Sequence, residues 1–347
     1  MCADLQSYGV KVSCAFTVIP QAIGKYRVIA PLGQGRVGIV YRAEDTESGR
    51  AVALKLVPTS HFGSPEAKQK FLTDALAATA LSHPHLRQLF EAGEADDQIY
   101  LAREYLDGST LQNLLLGGRL EPETALAWAT EMADALAAAH AAGLVHGELT
   151  PKKVFITKES TVRLLDAGLW RLSVPNGRDL SQVERLEEAG TTSAMLAELA
   201  PEQIRGAEPD ARTDLFALGV VLYQMTTGDN PFVDVEAYQT VQWVLGRTPP
   251  PPSEVNLKAP WALDELTARL LEKDPRMRLQ NANDAAAALR AVAAGEPLPA
   301  SVTERPVIPV PAEAAPAPKS KLAYWLVAGG AVLAAVLWFL YRTLGQP

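Results

Sequence analysis

His146-Gly147-Glu148-Leu149-Thr150-Pro151-Lys152-Lys153-Val154 follows a long helical pattern and precedes two short β-rich runs. The helix opens at Glu121-Pro122-Glu123, with proline at a tolerated first-turn position. Leu126, Ala129, Met132, Leu136 and Ala139 recur along it at helical spacing, and Gly143 ends it. Upstream, Gly33-Gln34-Gly35-Arg36-Val37-Gly38-Ile39-Val40 is a glycine-rich stretch whose backbone N–H groups can approach phosphates without side-chain clash. Alone it reads equally well as a plain turn. Val52-Ala53-Leu54-Lys55 comes next. Downstream stand Asp166-Ala167-Gly168, Ala200-Pro201-Glu202, Asp214-Leu215-Phe216-Ala217-Leu218-Gly219 and Lys273-Asp274-Pro275-Arg276-Met277-Arg278. Residues 26–32, 38–43 and 51–57 are β-rich runs divided by turn residues. Residues 71–81 are Ala-rich and read as one helix. Residues 213–227 are nearly all apolar, which predicts a helix buried on all sides.

In order and spacing these stretches resemble the motif set of protein kinases. The resemblance is to bacterial Hanks-type (eukaryotic-like) serine/threonine kinases and covers residues 23–292. It implies an α+β, bilobal fold with a small β-rich lobe and a large helical lobe. It implies a nucleotide site at Gly33, Gly35, Gly38, Val40, Ala53, Lys55, Glu104, Leu106 and Phe155. Lys55 would neutralise the α- and β-phosphates, and Asp166 would hold metal. Glu202 with Arg278, and Asp214 beneath the catalytic loop, would be structural.

The same resemblance exposes losses. The catalytic loop of the family reads H-R-D, four residues, then Asn. Here the base position is Glu148, the Asn position is Lys153, and a basic residue is replaced by Thr150. Gly147 stands for the Arg that reads activation-loop phosphorylation. Ala78 and Ala167 thin the stack that joins the lobes. The extra methylene of Glu148 displaces its oxygen by about 1 Å, which can cost roughly 100-fold, and loss of a general base costs ~10²–10⁴-fold. Lys153 would repel a divalent metal. Two readings stay open. One is a membrane-anchored pseudokinase scaffold that binds a protein partner, an active kinase or its substrate. The other is a weak serine/threonine kinase using Glu148, Lys55 and Asp166. ATP is the implied ligand. With Lys153 supplying a cation, its binding is expected to depend little on magnesium, and a place for Mg2+ is called into question. Asp74 is the expected carboxylate partner of Lys55. Arg103 falls at the gatekeeper position, where a buried guanidinium needs a partner, Asp74 or Asp166.

The rest of the chain sets the context. Its 347 residues suit one two-lobed domain plus flanking segments. The net charge of −8 argues against a nucleic-acid partner. Cys2 and Cys14 lie in a leader, residues 1–22, that shows neither a disulfide framework nor a signal peptide. Residues 293–321 are rich in proline and read as a semi-extended linker. Residues 322–341, from Leu322 to Tyr341, carry no charge and match the length of a bilayer span. Tyr324, Trp325, Trp338 and Tyr341 sit near its ends, as interfacial aromatics do. Arg305, Lys319 and Lys321 precede it, whereas Arg342 alone follows in the tail, residues 342–347. The positive-inside rule then puts the domain in the cytoplasm at the cytoplasmic membrane, with a short tail outside. Protease added to intact spheroplasts is therefore expected to leave the domain whole, and deletion of residues 322–341 to release it. Digestion from outside would overturn the orientation.

Overall fold

Six short strands build the first layer. In the computed structural model, which describes residues 20–34, 37–172 and 192–305 together with Trp338 and Arg342, a six-stranded antiparallel sheet forms. Its strands are β1 (Ala22–Ile23), β2 (Tyr26–Gln34), β3 (Ile39–Asp45), β4 (Ala51–Pro58), β5 (Leu89–Ala95) and β6 (Gln98–Glu104). Their order is β1-β2-β3-β4-β6-β5. β4 is buried on both faces from Val52 to Val57 because it lies mid-sheet with a helix against it. That helix, α1 (Pro65–Thr79), buries Phe71, Ala75 and Ala78 against Val57, Leu89, Ile99 and Leu101. It starts six residues before the position expected from its alanines. The side chain of Ser64 caps it by accepting from Ala67 N, and Pro65 fills the first turn.

The second layer is helical. α2 (Pro122–Ala141) buries Leu126, Ala129, Met132, Leu136 and Ala139, the predicted face. α3 (Ala211–Thr227) is buried from Thr213 to Thr227 except at Gln224, which lies partly open. Asp210 caps it by accepting from the amides of Arg212 and Thr213, and Gly228 closes it with φ +98°. Gly219 in α3 is required by packing, since a Cβ there would lie 2.8 Å from Leu270. α4 (Ala282–Ala294) lays Ala285, Ala286, Ala288 and Leu289 into the same core as α2 and α3. Packing continues beyond Val292, where the linker was expected to begin: Val302 is buried in this core. A three-stranded sheet, β7 (Gly108–Thr110), β8 (Val154–Thr157) and β9 (Val162–Leu164), carries the loops between the lobes.

The described residues between 20 and 305 form one compact unit. A second, residues 306–347, is described only at Trp338 and Arg342, where the guanidinium lies 5.2 Å from the indole centroid. Apart from Trp338 the expected membrane span lies outside the described residues, as do Cys2, Cys14 and Gly35. Among the described residues no helix is long and apolar enough to cross a membrane.

One ion pair locks the large lobe. Arg278, fully buried, donates to both carboxylate oxygens of Glu202 at 2.7 Å. Its remaining N–H groups reach the carbonyls of Glu272 and Arg212 at 2.7 and 2.9 Å. Every donor has an acceptor, which is the condition under which a buried guanidinium is tolerated. Glu202→Ala is therefore expected to lower unfolding stability by about 3–5 kcal/mol. Adding Arg278→Met should recover most of that loss in urea titrations; purely additive losses would mean that the two groups act separately.

Candidate functional site

The cleft chemistry begins with strand register. Ala53 faces Arg103 and Lys55 faces Leu101 across the β4–β6 ladder. With a period of two, Ala53, Lys55 and Arg103 share one face of the sheet. Val40 of β3 lies opposite Lys55 on the other side. Lys55 is 7 % exposed, and burial draws its ammonium down to about 8 against the pull of Asp166. Gly38 takes φ +80°, and a Cβ there would lie 1.9 Å from the carbonyl oxygen of Leu56, so the backbone at Gly38 lies close on β4. Gly33 has open space around it.

Asp166, just after β9, is the centre of the site. It is left-handed, with φ +65°. Its Oδ2 accepts from Lys153 Nζ at 2.6 Å. Its Oδ1 lies 2.5 Å from Arg103 Nη1, an ion pair whose angles fall outside hydrogen-bond alignment. Burial alone would push this carboxyl up. The charges of Arg103, Lys153 and Lys55 reverse that and hold it well below the usual carboxylate range. Lys153 also lies 3.6 Å from Glu148 Oε2. Burial pulls Lys153 down, but Asp166 and Glu148 outweigh it and keep the ammonium above its ordinary value. The carboxylates of Glu148 and Asp166 are thus bridged by one ammonium.

The loop that presents Glu148 is held from α3. Asp214 accepts from the backbone amides of His146 and Gly147 at 2.8 and 2.7 Å, and pairs with His140 Nε2 at 2.8 Å. Gly147 has φ +68°, and a Cβ there would lie 2.7 Å from the Trp170 indole. Glycine is therefore matched to a buried tryptophan in this chain, and a side chain of any size at 147 would displace it.

Two expectations about partners separate here. Arg103 takes Asp166, one of its two expected acceptors. Asp74 takes neither Arg103 nor Lys55; Arg171 Nε donates to it at 2.9 Å. The shorter carboxylate stays on the α1 side of the cleft, where the turn at Trp170–Leu172 brings the longer guanidinium to it. Arg87 was not anticipated. Its Nε donates to the carbonyl of Glu104 at 2.9 Å, while the Glu104 carboxylate accepts from Arg163 at 2.6 Å. Burial, with the neighbouring charge of Arg103, draws Arg87 down to about 10. The available signal was a charged residue between two core leucines, Leu86 and Leu89. Leu106 lies half-buried just past β6, and Phe155 lies half-buried on β8. Among the described residues no group of three or more His, Cys, Asp or Glu side chains could hold a metal.

The chain matches the model of the protein kinase domain over residues 26–289. It is 33 % identical over 285 residues to a probable serine/threonine-protein kinase of Streptomyces coelicolor, covering 80 % of this chain and 41 % of that protein. It is 31 % identical over 279 residues to the serine/threonine-protein kinase PknD of Mycobacterium tuberculosis, again 80 % of this chain and 41 % of that one. The chain thus spans about two fifths of these relatives' length. Among solved structures, the PknI kinase domain of M. tuberculosis superposes with a TM-score of 0.63 at 25 % identity, covering 78 % of this chain and 97 % of that domain. The two-lobed fold, the matched motifs and these similarities agree: the chain belongs to the protein kinase domain family, in its bacterial Hanks-type serine/threonine branch.

Proposed function

We propose that this chain is a membrane-tethered pseudokinase, a kinase-shaped scaffold for a protein partner that takes ATP without relying on magnesium. The observation that carries the reading is Lys153, with Nζ 2.6 Å from Asp166 and 3.6 Å from Glu148. The partner fitting such a scaffold is an active kinase or its substrate.

The residues do not fit a magnesium ion held in the family's manner. Both Asp166 oxygens face cations, Arg103 and Lys153. A divalent ion ~4 Å from an ammonium is repelled by about 8 kcal/mol at an effective dielectric of 20. The residues do fit a phosphate chain. Lys55 and Lys153 supply two cations, and Gly38 lets the backbone approach β4. The Glu104 carbonyl, which accepts from Arg87, ends β6 at the position expected to meet the nucleobase. The second reading, weak serine/threonine phosphotransfer, is favoured by Glu148 being a carboxylate and by relatives named as kinases.

ATP with a chelator is expected to raise the melting temperature as much as ATP with magnesium. At 100 times its dissociation constant it adds ~2.7 kcal/mol. Lys55→Ala should abolish the shift, and Lys153→Asn should make it metal-dependent. Labelled ATP with a basic protein substrate should give no transfer at any metal concentration. A shift seen only with magnesium, or transfer that Glu148→Gln removes, would support the weak enzyme instead.

The pH dependence has a definite sign. Phosphate binding favours the charged form of Lys55, so its bound value lies above about 8. Affinity for ATP should hold constant below that pH and fall as pH rises through it, flattening near the bound value. Titration calorimetry from neutral to alkaline pH reads this directly, and an affinity that does not change would exclude Lys55 as the phosphate cation.

A further inference from the structure

Behind the Asp166 ion pair lies a small cavity of about 20 Å³. Ala78, Leu86, Leu89 and Leu169 make its apolar wall. Its polar lining is Arg87, Arg103 and Asp166. Arg103 is 4 % exposed, and its Nε and Nη2 atoms have no acceptor among the described residues. Buried donors of this kind are rarely left unpaired.

We propose that Arg87 and Arg103 form a site for a single halide ion, chloride in the cell, at the rear of the cleft. Charge separates this from a site for water. Lys55, Arg87, Arg103 and Lys153 gather here, while the carboxylates facing them are Asp166, Glu148 and Glu104. Glu104 is already matched by Arg163. A cationic excess remains. A water molecule would satisfy the N–H groups and could donate to Asp166 Oδ1, but would leave that excess in place; an anion satisfies the N–H groups and offsets the charge. The opposing group is Asp166, whose charge is engaged by Arg103 Nη1 and Lys153. Size decides among anions. A cavity of about 20 Å³ favours a one-atom ion over phosphate or sulfate. Weakly hydrated ions also leave water most readily for an apolar pocket with a few charged donors. The ion would screen Arg87 from Arg103 and hold the second guanidinium against Asp166. The two guanidinium groups lie outside the proposed phosphate cradle, but the excess they answer includes Lys55 and Lys153, so the site belongs to the cleft without ATP.

The test uses the full chain in detergent. Chloride quadrupolar NMR is expected to show line broadening that bromide competes away, and that Arg103→Met removes. Melting in chloride should exceed melting in gluconate at equal ionic strength by on the order of 2 °C, with that difference lost in Arg103→Met and in Arg87→Met. Crystals grown in bromide should show an anomalous peak between the two guanidinium groups. A broadening and melting difference equal in both variants would mean a general salt effect and overturn the site. Should the variants fail to fold, the native chain still decides: no bromide peak, and an ordered water only, would overturn it too.

Discussion

The buried carboxylate of Asp214 is the constraint on which the cleft depends. It sits on α3, a helix enclosed by the large lobe, and accepts two backbone amides from the loop above. A carboxylate accepting backbone N–H bonds inside a protein is stabilised well beyond a neutral acceptor. Its hold fixes His146 and Gly147, and through them Glu148 and Lys153. Gly147 sits in the left-handed region while the Trp170 indole closes over it. Loop position, glycine and tryptophan are thus one packing solution.

On that fixed loop the charges of the cleft arrange themselves. Removing a carboxylate and several cations from water costs several kcal/mol per ion even after relaxation. Asp166 meets the cost by facing Arg103 on one oxygen and Lys153 on the other. The lobes are therefore joined by charge where the motif set would have supplied a packed side chain, since Ala78 and Ala167 leave little apolar bulk there. Asp74, released from Lys55, secures the turn after Asp166 through Arg171.

Much of this was legible in the sequence, for reasons that differ by residue. Helical spacing revealed the α2 face, a nearly continuous apolar run revealed α3, and β-rich runs between turn residues revealed the strands. Glu202 with Arg278, and Asp214 with the loop, followed from motif order. Lys153 was read from motif order as a cation at the Asn position, but its reach to Asp166 and Glu148 together needed coordinates. Arg87 escaped because a lone charge beside two leucines carries no pattern that points to burial. The pairing of Asp74 with Arg171 escaped because residues so distant in sequence share no periodicity. The early start of α1 was available in Ser64-Pro65, a cap and first-turn signal hidden by the alanines that follow.

The two kinds of buried ion in this chain make the final distinction. Arg278 satisfies all its donors with Glu202 and carbonyls, and so behaves as structure. Arg103 leaves two donors without acceptors and Asp166 leaves Oδ1 outside hydrogen-bond alignment. A network satisfied in full specifies one conformation; one satisfied in part has energy to gain from a ligand or a rearrangement. The large lobe is built on the first kind and the cleft on the second. A fold can therefore keep its shape while the chemistry at its centre changes, because the ions that hold the shape are not the ions that line the cleft.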